Sequence, residues 1–173
     1  MVNIMEVFRE YMRLDRQRSR GDLSVQDLKR WNYCRHELSQ TFQPGYDEGG
    51  LDEAAADRRD SLRVPTQLEV SFEHYGEVCE SLMTNLSRGG LFIAVADPLP
   101  TDLLPIGSEF KLRIRIKEEE DELELTAKVV SHHTGADLTQ PQPGMGVCFV
   151  KLSPSQEIAV EALYEQTMKR AVE

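Results

Sequence analysis

A chain of 173 residues holds enough material for one core of ordinary size, not for two large domains. With 40% hydrophobic and 29% charged residues it reads neither as a wholly disordered chain nor as a membrane protein, and no apolar run approaches the roughly 20 residues that span a bilayer. A net charge of −10 argues against broad nucleic-acid binding, which depends on neutralising many phosphates, yet a few arginines can still dominate one local anion site.

The opening segment alternates charged and apolar residues too regularly for a signal-peptide core, so a cytoplasmic location is expected. Ile4, Val7, Phe8, Tyr11 and Leu14 recur at helical spacing, and RSRGD at 18–22 supplies a break centred on glycine. Ser24 can then cap a second helix, with Asp27 three places on near the positive helix terminus. Val25, Leu28, Trp31, Arg35, Leu38 and Phe42 mark its stripe. Neither helix can hide its stripe alone. They are expected to pack as a hairpin, or against the sheet or a second subunit, with docking of a separate protein as the sharper alternative. Arg13, Arg16, Arg18 and Arg20 resemble a basic patch, but intervening acids make a solvated helix face the better reading.

Residues 43–57 are rich in glycine and acid and have no settled period, which makes them a linker. The expected organisation is a helical region at 1–42, this linker, and a β-domain with a closing helix at 58–173.

Beyond the linker the period changes to two. Leu68, Val70 and Phe72 alternate with polar neighbours, and 78–84 makes a second strand. Leu91, Ile93 and Val95 define a third. Phe110, Leu112, Ile114 and Ile116 alternate with Lys111, Arg113, Arg115 and Lys117 in a fourth, whose basic side faces water and the acid-rich run at 118–122. Leu123, Leu125, Ala127 and Val129 form a fifth, and Met145, Val147 and Phe149 a sixth. Six short strands joined by turns suggest a barrel, which leaves no exposed edge. At 153–156 Ser153 is the cap, Pro154 the first helical residue and Gln156 the reciprocal capping partner. The helix that follows is expected to lay Ile158, Ala159, Ala162 and Leu163 on the barrel.

Catalytic and metal signatures are missing from the sequence. Cys34, Cys79 and Cys148 are odd in number and far apart, which disfavours a zinc site or disulfide scaffold and suggests ordinary, partly buried thiols. His132 and His133 would point to opposite faces of a strand. The chain has no G-x-S-x-G elbow, P-loop or H-E-x-x-H, so neither an enzyme nor a bound cofactor or metal is expected.

Two local features stand out instead. Arg58, Arg59 and Arg63 put three guanidinium groups just before the first strand, and a planar guanidinium can engage phosphate or the O6/N7 edge of guanine with two bonds. Asn85-Leu86-Ser87-Arg88-Gly89-Gly90 joins the second and third strands; Asn85 and Ser87 offer directional hydrogen bonds, and the glycines allow a tight turn or close approach of a ligand. Taken alone, this second segment also reads as a simple β-turn.

Together the two segments resemble the signature of the PilZ domain family. An R-x-x-x-R segment (Arg59 to Arg63) leads into a barrel, and [D/N]-x-S-x-x-G (Asn85 to Gly90) follows the second strand. Gly-Leu-Phe-Ile at 90–93 and GMGVCFVKLS at 144–153 are similar to the family as well, and the resemblance covers roughly 57–168. It implies a mainly β fold, a six-stranded antiparallel PilZ-type β-barrel with a C-terminal helix, to which this chain adds an N-terminal helical hairpin. It also implies a receptor for cyclic di-GMP, in which Arg59 and Arg63 grip guanines and phosphates. Arg58 would add a contact or set whether one or two ligand molecules fit. Asn85 and Ser87 would bind a guanine edge or phosphate, with Gly89 and Gly90 leaving room beside them. The N-terminal helices lie outside the resemblance and are expected to carry self-association or a protein partner. The alternative is a PilZ-fold adaptor, tied to motility, secretion or polysaccharide synthesis, that works through its helices without nucleotide control.

Overall fold

The computed structural model describes residues 1–42, 62–95, 103–116, 121–133 and 142–173. They form two compact units, Met1–Arg63 with Met168–Glu173, and Val64–Thr167. The expected linker at 43–57 lies outside the described residues.

The first unit is built on α1 (Ile4–Ser19) and α2 (Val25–Phe42). The Asn3 side chain accepts from the Met5 amide at 3.2 Å and starts α1. Gly21, at φ +77°, ends it in the left-handed region, where the Asp22 amide reaches back to Gln17 O and the Gly21 amide to Arg18 O. Ser24 caps α2 as the sequence suggests, with its Oγ accepting from the Asp27 amide at 3.1 Å and donating to the Asp27 carboxylate at 2.9 Å.

The two helices pack on each other. The Tyr11 and Trp31 rings stack with centroids 6.0 Å apart, and the Trp31 indole N–H donates to Asp15 Oδ1 at 3.0 Å inside the hairpin. Tyr11, Leu14, Cys34 and Leu38 are fully buried. The expected stripe of α2 needs a correction, because Val25 and Leu28 are 77% and 42% exposed and Cys34 takes part in their place. Their end of α2 comes before Trp31, and the last turn of α1 offers Gln17, Arg18 and Ser19 rather than apolar surface. The Arg18 guanidinium lies instead over the Trp31 ring, 4.5 Å from its centroid.

The second unit is the barrel. Its strands are β1 (Val64–His74), β2 (Glu77–Leu86), β3 (Gly90–Ala94), β4 (Glu109–Arg115), β5 (Glu122–His133) and β6 (Gly144–Phe149). All pairings are antiparallel, the order is β1-β2-β3-β6-β5-β4, and the sheet closes where Val70–Phe72 meets Leu112–Ile114. Leu68, Val70, Phe72, Met83, Leu112, Ile114, Leu125 and Met145 fill the interior. Each such side chain contributes about 1.5–3 kcal/mol on leaving water. Tyr75 and Gly76, both at positive φ, turn β1 into β2 with the twist a two-residue hairpin favours.

One expectation about the sheet changes, and another is filled in. Leu91, Phe92 and Ile93 are all buried, so β3 does not alternate. The basic residues of β4 do face water, and among the described residues their partners sit mainly across the strands, while 117–120, most of the acid-rich stretch, lie outside the described residues. Arg115 bonds Glu69 of β1 at 2.7 Å, and Arg113 and Lys111 reach Glu124 of β5 at 3.3 and 3.6 Å. Of the described part of the acidic run, Glu122 lies 4.0 Å from Arg115. The pleat dictates this, since Arg113 and Glu124 are register partners.

α3 (Pro154–Val172) begins with the expected reciprocal cap: the Ser153 amide donates to Gln156 Oε1 at 2.8 Å, and the Gln156 amide to Ser153 Oγ at 3.2 Å. Gln156 Nε2 also donates to Glu124 O at 2.9 Å and so fixes the helix start to β5. The buried face is Val160, Leu163, Tyr164, Thr167 and Met168, whereas the anticipated Ile158 is 71% exposed and Ala162 is exposed. Of the anticipated set only Leu163 is on the buried face, because Tyr164 and the residues at i+3 and i+4 turn the stripe away from Ile158.

Candidate functional site

The turn between β2 and β3 closes on the Gly90 carbonyl. The Ser87 amide donates to Gly90 O at 2.9 Å, and the Ser87 hydroxyl donates to the same oxygen at 3.2 Å. The Phe149 amide donates to Gly89 O at 2.8 Å and ties the turn to β6. The hydroxyl proton of Ser87 is thus engaged within the turn, which leaves its oxygen as an acceptor.

Asn85 reaches its position through an irregularity that no period predicts. Met83 pairs with Ile93, but Asn85 pairs with Phe92, so Thr84 is an extra residue on β2. The bulge lets Met83 and Leu86, three residues apart, both be fully buried. A regular strand would put Asn85 on the same face as Met83 and bury it. Asn85 instead stays half-buried on the face opposite Leu86, two residues from Ser87.

The two glycines differ. A Cβ on Gly89 would meet nothing within 4 Å, so the backbone there is open to approach. Gly90 is buried, and a Cβ there would run into the backbone of Val147 and Cys148 on β6. Its missing side chain serves the β3–β6 ladder.

Arg58 and Arg59 lie outside the described residues. Arg63 is exposed and directly precedes Val64, the first residue of β1. Val64 is the register partner of Leu86, which stands between Asn85 and Ser87. The register therefore brings the strand that follows the arginine segment to the same end of the β1–β2 ladder as the motif turn.

Motif spacing assigns no role to Arg88. Its Nε and Nη2 donate to the two carboxylate oxygens of Glu161 on α3 at 2.7 and 2.9 Å, and its guanidinium lies over the Tyr164 ring, 4.9 Å from the centroid. No local signal announces a partner 73 residues away.

The two histidines do separate as expected. His132 contacts Leu104 O at 2.7 Å, and His133 contacts Ser131 Oγ at 3.1 Å beside the Phe92 ring. All three cysteines are free, with Cys34 buried and its thiol pushed up chiefly by burial. A cavity of about 470 Å³ on the outer side of β1, β2 and β4, lined among others by Ser71, Leu82, Arg113 and Arg115, includes none of the motif residues. Among the described residues, no helix is long and apolar enough to cross a membrane.

Comparisons with known proteins extend this picture. A family model described as PilZ domain matches residues 57–166. Among solved structures, the inhibitor of motility MotI/DgrA from Bacillus subtilis is 25% identical with a TM-score of 0.52, covering 65% of this chain and 50% of that one. This chain thus spans half the length of the Bacillus protein. The PilZ domain of YcgR from Escherichia coli, solved with c-di-GMP, is 16% identical with a TM-score of 0.54, covering 66% of this chain and 94% of that domain. MrkH, described as a c-di-GMP-dependent transcription regulatory factor, is 15% identical with a TM-score of 0.52, over 65% of this chain and 52% of that one. No curated protein matches the sequence.

Proposed function

Because this chain belongs to the PilZ family, we propose that it is a cytoplasmic receptor for cyclic di-GMP that turns ligand binding into a changed protein–protein interaction, rather than an enzyme. One observation carries the reading: Val64 and Leu86 are register partners, so β1 starts, just after Arg63, beside the Asn85–Gly90 turn. The likeness to a motility inhibitor at 25% identity supports a signalling role, and the YcgR PilZ domain supports the fold.

In this reading Arg59 and Arg63 supply paired donors to phosphate oxygens and to the O6/N7 edge of guanine. Arg58 adds a further contact or sets the number of ligand molecules held. Ser87, whose proton is engaged by Gly90 O, offers its oxygen to a donor such as a guanine N–H. Asn85 can donate and accept, which suits a base edge. Gly89, open on its Cβ side, lets the ligand approach the backbone. The output lies with the N-terminal helices. The ligand shifts the protein between two arrangements only insofar as it binds them unequally.

Equilibrium dialysis against cyclic di-GMP, cyclic di-AMP and GMP tests this function. Retention of cyclic di-GMP well above the other two supports it, and equal retention of all three, or none, refutes it.

A further inference from the structure

The motif turn carries one long side chain that the ligand contacts described above leave unused. Arg88 stands between Ser87 and Gly89, and its guanidinium is held by a two-bond fork to Glu161 and by the face of Tyr164. Tyr164 is fully buried, and the Arg88 side chain is only 24% exposed. Glu161 and Tyr164 are three residues apart, on one side of α3. That helix is itself fixed at its start by the Ser153–Gln156 cap and by the bond from Gln156 to Glu124 O. The turn is thus tied on one side to β6, through the Phe149 amide, and on the other to a helix that cannot easily slide.

The geometry points to Arg88 as a positioning residue for the ligand site, one that clamps the Asn85–Gly90 turn to α3 without touching the ligand. This rests on the receptor reading for its functional half. The clamp holds Asn85 and Ser87 in one arrangement before ligand arrives, so less ordering is left to be done on binding. It needs an arginine. Lysine keeps the charge but has neither the planar fork nor the flat face that lies on Tyr164. It also makes Glu161 a determinant of affinity, although Glu161 lies 71 residues beyond Gly90 in the chain.

The test compares the full-length protein with Arg88→Gln, Arg88→Lys, Glu161→Gln and the double variant Arg88→Gln/Glu161→Gln, each checked for its fold by circular dichroism. Cyclic di-GMP affinity is measured by calorimetry, and amide hydrogen exchange is followed without ligand. Arg88→Gln and Glu161→Gln should each weaken binding about five- to tenfold, the double variant no more than the worse single, and Arg88→Lys should recover part of the loss. The Ser87 and Phe149 amides should exchange several-fold faster in both single glutamine variants. Wild-type affinity in Glu161→Gln beside a loss in Arg88→Gln would overturn the proposal, because Arg88 would then act on the ligand directly. If the wild type binds nothing, the receptor reading has failed on its own, and exchange decides the clamp: faster exchange upholds it, unchanged exchange overturns it.

Discussion

Gly90 and Val147 approach so closely across β3 and β6 that a Cβ on Gly90 would overlap the Val147 carbonyl oxygen. A glycine expected to make room for ligand is therefore needed by the barrel. Gly90→Ala should destabilise the protein by about 2–4 kcal/mol, as overpacking against backbone does, whereas Gly89→Ala should cost less than about 1 kcal/mol. Denaturant melts of the two variants check this.

The indole of Trp31, the chain's single tryptophan, reports on the packing of the helical hairpin. Asp15 is 1% exposed and accepts its N–H, so Asp15→Ala leaves a buried donor short of its acceptor. The expected cost is about 1–3 kcal/mol, with a shifted Trp31 emission maximum in the folded protein. Asp15→Asn retains an acceptor oxygen and should lose less.

The start of α3 depends on Ser153 and Gln156. Ser153→Ala removes the oxygen that accepts from the Gln156 amide and should cost about 1 kcal/mol. Gln156→Ala also removes the bond to Glu124 O and should cost more. Thermal unfolding of both variants ranks them.

Within the hairpin, Arg30 donates to Glu10 at 2.8 Å, and this bond holds the Glu10 carboxyl below its ordinary value of 4.5. A carboxyl lowered by folding stabilises the fold above its unfolded pKa and loses that contribution as pH falls through the folded one. Stability should therefore drop as pH falls below 4.5, and Glu10→Gln should flatten a part of that drop. The part is small because solvent screens the pair, with Arg30 exposed and Glu10 half-buried. Unfolding midpoints measured in acid for both proteins check the sign.

What was legible in the sequence follows from periodicity. Leu112 and Ile114 alternate with cations, and Ser153 and Gln156 stand at capping distance, so the strand and the helix start could be read directly. Three features could not. The bulge at Thr84 turns Asn85 away from Met83, yet nothing in the composition of β2 marks an inserted residue. The face of α3 is set by what surrounds it, so Ile158 is exposed while Val160 is buried. Arg88 looks like any turn arginine until α3 delivers Glu161 and Tyr164 to it. Of the proposed site residues, motif spacing singles out Asn85, Ser87 and Arg63, whereas the packing role of Gly90 needs the β3–β6 register.

The central claim is that the motif turn and the arginine segment form one receptor site. Calorimetric titration of cyclic di-GMP into the wild type, Arg63→Ala and Ser87→Ala tests it most directly. Saturable binding at micromolar or lower ligand, weakened about tenfold or more in each variant, is the predicted result. No binding by the folded wild type at roughly tens of micromolar ligand, or equal binding by all three proteins, would contradict it.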